Sequence, residues 1–234
     1  MTQLTVAATS KDLTRLAAAW LGAELRSAVA ARDACALAVS GGRTPEPVYE
    51  ELAAEPGIAW NRVDLFFGDE RAVPPDDPES NYCMVRRALL CRVPLPLARV
   101  HRMEADRPDL EEAARDYERF LPLRLDVLLL GIGADGHTAS LFPRSATLDE
   151  RRRRVVAALS PTPPVQRLTI TPPVIEAARR VAVIATGEGK AAMVARAFEG
   201  AWAPREVPAQ LARSGHWFLD RGAAAALAGR NGAP

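Results

Sequence analysis

The feature that most restricts the fold is a recurring unit: a short aliphatic run, a glycine loop, then a segment of helical periodicity. "CALAVSGGRTPEPVYEELA" and "RVAVIATGEGKAAMVARAF" both have this form, and "DVLLLGIGADG" is a further aliphatic run ending in glycines. Aliphatic runs without polar alternation belong to strands covered on both faces, with intervening helices as the cover. Together they predict an α/β protein, a doubly wound, mostly parallel sheet flanked by helices. In such sheets ligands sit at the carboxyl ends of the strands. That rule singles out the loops 40–44, 68–71, 131–137 and 186–190.

The remaining segments fit the same alternation. Residues 10–32 read as a helix capped by Ser10, "RVDLFFGDERAVPPDDPES" as a strand feeding a polar loop, and "SNYCMVRRALL" as a helix capped by Ser80. "PDLEEAARDYERFLP" reads as a charged-face helix, "RRVVAAL" and "RLTIT" as strands, and "PPVIEAARR" as a short helix with proline in its first turn. "HWFLDRGAAAALAG" predicts a final strand and helix, with the alanine-rich end of the chain fraying. Neither a repeat nor a composition change marks a boundary, so residues 1–234 are expected to form one domain.

Composition excludes several function classes. With 48% hydrophobic residues, 25% charged residues and a net charge of +1, nothing electrostatic favours nucleic acid or an anionic membrane. An anionic ligand must therefore be held locally. Cys35, Cys83 and Cys91 form no C-x-x-C pair, which argues against a disulfide framework or a thiolate zinc site and fits a reducing cytoplasm. Lys11, Asp12 and Arg15 interrupt any secretory signal, and no apolar run reaches the ~18 residues of a spanning helix. The chain reads as soluble, unprocessed and cytoplasmic. No His/Asp/Glu cluster has convincing metal spacing.

Gly131, Gly133 and Gly136 match G-x-G-x-x-G, which raises a dinucleotide site. That reading fails on its partners. Asp149 and Glu150 precede the next strand, where a ribose-binding acid should follow it, and Asp135 would face the pyrophosphate. The same loop has a better use in acid–base chemistry. Its glycines allow a sharp turn at the end of a buried strand, presenting Asp135 and His137 above the sheet. An imidazole suits proton abstraction from water near neutral pH, and a neighbouring carboxylate orients the ring.

Ser40, Gly41, Gly42, Arg43 and Thr44 follow another buried strand and precede a helix, so backbone amides, hydroxyls and a helix N-terminus form a small anion cradle. Walker A spacing is missing, and "AVSGG" lacks the glycine of a nucleophile elbow. Lysine occurs only at Lys11 and Lys190 in this arginine-rich chain, so Lys190 in a glycine loop hints at a wanted ammonium. Arg71 and Arg167 add possible anion-binding guanidiniums. His101 and His216 lack an acidic or glycine-loop setting and are assigned to packing or surface roles. "PPDDPES" reads as a solvated loop.

Taken in order, "LAVSGGRTP", "VDLFFGDERAVPPDDPESNY", "DVLLLGIGADGHTASLFP" and "TGEGKAAM" resemble the 6-phosphogluconolactonase family, and "VPAQLARSGHWFLD" extends the resemblance toward the C-terminus. The resemblance implies a modified Rossmann-like fold related to sugar-phosphate isomerases. It also implies hydrolysis of 6-phosphoglucono-1,5-lactone to 6-phosphogluconate in the oxidative pentose phosphate pathway, with neither metal nor organic cofactor. Carried over onto matching positions, His137 is the base that activates water, Asp135 its polar partner, and Arg71 holds or polarises the substrate. Ser40, Gly41, Gly42, Arg43 and Thr44, with Arg167 and Lys190, would surround the phosphate, and Asp69 joins the substrate-binding set. The expected partner is a phosphorylated sugar lactone, bound by a monomer or homodimer.

Two alternatives differ in particular residues. Glucosamine-6-phosphate deaminase shares the S-G-G-x-T-P loop and the Gly-His turn, but it places a glutamate after its histidine, whereas "HTASLFPRSATL" carries no acid before Asp149. A non-catalytic sugar-phosphate-binding domain would not need Asp135 and His137 together.

Overall fold

The computed structural model describes residues 2–228. From the N-terminus its elements are β1 (Gln3–Ala7), α1 (Ser10–Arg32), β2 (Cys35–Val39), α2 (Glu46–Ala54), β3 (Val63–Phe67), β4 (Asp69–Arg71), α3 (Asn81–Ala88) and α4 (Leu110–Phe120). There follow β5 (Val127–Gly131), β6 (Val155–Leu159), β7 (Gln166–Ile170), α5 (Pro172–Ala177), β8 (Arg180–Ala185), α6 (Ala191–Phe198) and β9 (His216–Asp220). Short 3-10 turns join several of them.

Six strands form an all-parallel sheet in the order β1-β9-β8-β5-β2-β3. At its centre Leu37 lies opposite both Leu65 and Val127, and Val127, Leu128, Leu129 and Leu130 are all buried. Burial on both faces explains the unbroken aliphatic run of β5. Each such leucine contributes roughly 1.5–3 kcal/mol by leaving water. Helix α1 packs across β1, β2, β5 and β9.

The chain adds β3 on one side of β2, then crosses back to lay β5, β8 and β9 on the other. The crevice where the order reverses therefore opens between the carboxyl ends of β2 and β5. Those ends lead into loops 40–44 and 131–137.

Four strands depart from the sequence reading. "RRVVAAL" and "RLTIT" do contain strands, but β6 and β7 pair antiparallel with each other and with β4 in a separate sheet of order β4-β7-β6. The link between β6 and β7 is far shorter than the dozen or so residues a parallel crossover requires, so a hairpin is the available solution. This small sheet sets Arg71 directly opposite Arg167. β4 was hidden within a polar loop, and β1 at the sheet edge lacks the aliphatic run of the central strands.

Two local expectations are corrected. The α1 cap is Thr9, whose backbone is extended (φ −133°, ψ 161°) and whose hydroxyl accepts from the Asp12 amide at 3.1 Å. Ser10 is already helical, and its hydroxyl donates instead to Asp220 Oδ2 at 2.8 Å. The final helix does not form in the described residues. After β9 the chain turns, because the Asp220 carboxylate accepts the Ala223 amide and Asp220 O accepts that of Ala224. The rest of the predicted terminal helix, 229–234, lies outside the described residues. No helix among the described residues is long and apolar enough to cross a membrane.

Candidate active site

The carboxyl ends of β2 and β5 open into a cavity of about 380 Å³. Its wall contains Ser40, Gly41, Gly42, Arg43 and Thr44 from the first loop, Asp69 and Arg71 from β4, His137, Arg167 from β7, and Lys190. All the sequence-predicted site residues except Asp135 therefore line one space. Asp135 stands behind His137, whose ring Nδ1 lies 2.6 Å from Asp135 Oδ1.

The 131–137 turn is closed by its own hydrogen bonds. The Gly133 amide donates to His137 O at 2.9 Å, the His137 amide donates to Asp135 Oδ1 at 3.1 Å, and Thr138 Oγ1 donates to Gly131 O at 2.9 Å. The Ala209 amide donates to Gly136 O at 2.9 Å, tying the turn to the 3-10 segment Pro208–Ala212. Of the motif's glycines only Gly136 has a left-handed φ (91°). Gly133 is required for another reason: a Cβ there would overlap the imidazole. The Phe142 ring, with its centroid 4.9 Å from that of His137, gives the imidazole an apolar neighbour.

Burial alone would raise the Asp135 carboxyl, but the hydrogen bond and charge of His137 outweigh it and hold the group below its usual range. An ionised Asp135 accepts from Nδ1–H, which assigns the ring proton to Nδ1 and leaves Nε2 free to accept. Nε2 has no protein partner among the described residues.

Cations dominate the cavity wall. Arg43, Arg71, Arg167 and Lys190 face Asp69 and Glu79. Burial, and then the charge of Arg43, hold the Lys190 ammonium below the usual lysine range. Arg167 is lowered by burial and then by Arg71. Its Nε donates to Pro164 O at 2.8 Å. Arg71 leans on Glu79 through Nη1, while its Nε is buried without an acceptor. A site that lowers its own cations in this way is arranged for an anion.

Several residues that hold these groups are not among the predicted site residues. Tyr49 OH accepts the Ser40 amide at 2.9 Å and donates to Ser40 O at 2.7 Å, fixing the start of the cradle. Thr44 Oγ1 lies 3.3 Å from Thr186 Oγ1, joining the cradle to the lysine loop. Asp69 accepts from Ser140 Oγ at 2.6 Å and from Asn81 Nδ2 at 3.2 Å, so its carboxylate links loops more than it faces the cavity. Glu79, assigned from sequence to a solvated loop, also lines the cavity. The hydrogen-bonded partners stand from 9 residues apart (Tyr49 and Ser40) to 142 apart (Thr44 and Thr186), so no helical or strand period marks them.

The other histidines pack, as expected, though His101 has an acidic partner that its sequence neighbours do not disclose. Its Nε2 lies 3.2 Å from Asp64 Oδ1 and its ring stacks on Phe66. His216 Nε2 lies 2.8 Å from Thr5 Oγ1, and its ring stacks on Phe218. Among the described residues no group of three or more His, Cys, Asp or Glu is placed to hold a metal ion.

The sequence model of the family described as glucosamine-6-phosphate isomerases/6-phosphogluconolactonase matches residues 8–219. The chain belongs to this family. Among its relatives, the 6-phosphogluconolactonase of Streptomyces coelicolor is 40% identical, covering 96% of this chain and 94% of the relative. The Homo sapiens 6-phosphogluconolactonase is 42% identical over 88% of this chain and 90% of the relative. The solved 6-phosphogluconolactonase structure from Trypanosoma brucei superposes with a TM-score of 0.85 at 29% identity, covering 97% of this chain and 99% of that one. The α/β architecture is thus that of the glucosamine-6-phosphate isomerase/6-phosphogluconolactonase family.

Proposed function

We propose that the protein hydrolyses 6-phospho-D-glucono-1,5-lactone to 6-phospho-D-gluconate, the second step of the oxidative pentose phosphate pathway. The observation that carries this reading is the Asp135–His137 pair at a cavity walled by Arg43, Arg71, Arg167 and Lys190. Relatives that carry the name 6-phosphogluconolactonase support it at 40% and 42% identity.

In this mechanism His137 Nε2 takes a proton from water as the water oxygen bonds to the lactone carbonyl carbon. Asp135 keeps the ring in the productive tautomer and offsets the imidazolium charge. Arg71, which lines the cavity, stabilises the oxyanion of the tetrahedral intermediate with its guanidinium. The intermediate collapses by breaking the bond to the ring oxygen, which takes the proton back from His137. The product acid then ionises. Loop 40–44, with Arg167 and Lys190, holds the phosphate and aims the carbonyl at the water.

The reading takes residues 1–234 as one lactonase domain, since β1 pairs with β9 and division would split the sheet. It places the protein in the cytoplasm, as a monomer or homodimer, without a nucleic-acid partner. The wall between His137 and Phe142 contributes Ala139 and Ser140 and no carboxylate, which disfavours the ring-opening chemistry of a deaminase. The test compares freshly generated 6-phosphogluconolactone with glucosamine-6-phosphate. Turnover of the lactone above its spontaneous rate, with none of the amino sugar, is expected; the reverse preference would overturn the assignment.

A further inference from the structure

Asn81 is 2% exposed and lines the cavity; it lies within the segment "VDLFFGDERAVPPDDPESNY", but the sequence assigns it no role. It opens α3, and its backbone amide donates to Glu70 Oε1 at 2.8 Å, which fixes the main chain at this point. Its carboxamide nitrogen donates to the Asp69 carbonyl at 2.8 Å and to Asp69 Oδ1 at 3.2 Å. Both are acceptors, so the nitrogen must face them and the oxygen must face the other way.

That oxygen has no hydrogen-bond partner, and it stands where a Cβ on Gly41 would be. Gly41 is not a glycine for the sake of its backbone angle, since among the described residues the left-handed glycines are Gly42, Gly57, Gly136 and Gly187. Its missing side chain makes room for Asn81. A buried carbonyl without a donor is costly, and it persists where its position is used. On the other side Asp69 accepts from Ser140 Oγ at 2.6 Å, in the segment that follows His137. The carboxamide thus bridges the cradle loop and the side of the cavity that carries the imidazole.

We infer that Asn81 is a positioning residue: wedged between Gly41 and Asp69, it sets the separation between the anion cradle and the His137 side, and so selects a lactone whose phosphate and carbonyl stand that far apart. The inference rests on the reading that loop 40–44 and Lys190 hold the phosphate. Asn81 acts on substrate through the loops it spaces, so its loss should appear in substrate affinity before it appears in the chemical step. Gly41→Ala pushes on the same contact from the opposite side.

The two substitutions therefore form a cycle with a distinctive signature. Asn81→Ala keeps the backbone amide that caps Glu70, and Gly41→Ala has no φ penalty. Each is expected to raise KM for 6-phosphogluconolactone about tenfold while kcat falls less. The double variant should resemble Asn81→Ala alone, because removing the carboxamide opens the space the new Cβ needs. Should Asn81→Ala fail to fold, Asn81→Ser completes the same cycle. KM effects that multiply in the double variant, or a fall in kcat at unchanged KM, would overturn the inference. Thr44→Val and Lys190→Ala, measured alongside, separate the two ideas. If they leave KM unmoved, the phosphate reading fails; if they raise it while Asn81 and Gly41 variants do not, only the spacing role fails.

Discussion

A single carboxylate oxygen of Asp135 meets both ends of His137: Oδ1 lies 2.6 Å from the ring Nδ1 and accepts the backbone amide at 3.1 Å. The ring therefore cannot turn without breaking a contact that also shapes the turn. With its carboxyl held below the usual value of 3.8, Asp135 is charged throughout the neutral range. Its contribution to stability is complete above pH 3.8 and is lost only as pH falls through the lower folded value.

Asp135→Ala should lower kcat by about 10²-fold with little change in KM, because the group orients the base without touching substrate. Steady-state kinetics check this. A KM increase at constant kcat would place Asp135 in substrate binding.

Lys190 offers the opposite sign. Burial and Arg43 hold its ammonium below the ordinary lysine value of 10.5, so charging it costs stability in the empty protein. That cost is present below the folded pKa and disappears as pH rises toward the unfolded value. Lys190→Met is therefore expected to raise the Tm of the ligand-free protein at neutral pH while raising KM for the phosphorylated lactone. A lower Tm in the ligand-free variant would show that the charge is satisfied within the fold.

Asp220 holds the lysine loop from β9. Its carboxylate accepts the Gly187 amide at 3.0 Å, the Ala223 amide at 2.8 Å and the Ser10 hydroxyl at 2.8 Å. Burial would raise its carboxyl, but these donors hold it below 3.8. Asp220→Ala should cost about 1–3 kcal/mol and raise KM through the freed Gly187 loop. The Tm gap from wild type should persist at neutral pH and narrow as pH falls below 3.8. A gap constant through that range would remove the ionised carboxylate from the account.

What could be read from the sequence follows the range of the interactions. β2 and β5 were legible because strands buried on both faces write their burial into every residue, and His137 with Asp135 because their contact spans two positions. Sheet membership was not legible: β6 and β7 read as strands, yet only the hairpin between them and the pairing of Arg71 with Arg167 place them in a second sheet. β4 is too short and polar to announce itself. Asn81, Ser140 and Tyr49 were missed because their roles consist of contacts with Asp69, Gly41 and Ser40, which no local pattern encodes. Ser80 caps α3 as the sequence predicts, its hydroxyl accepting the Cys83 amide at 3.2 Å, since capping is a local signal.

The central claim is that His137 activates the water that opens the lactone ring. Its most direct test is hydrolysis of freshly generated 6-phosphogluconolactone by wild type and by His137→Ala, each corrected for the spontaneous rate, with 6-phosphogluconate binding measured in parallel. The account predicts that the variant loses at least about 10²-fold in kcat while still binding 6-phosphogluconate. Undiminished turnover by His137→Ala would contradict it.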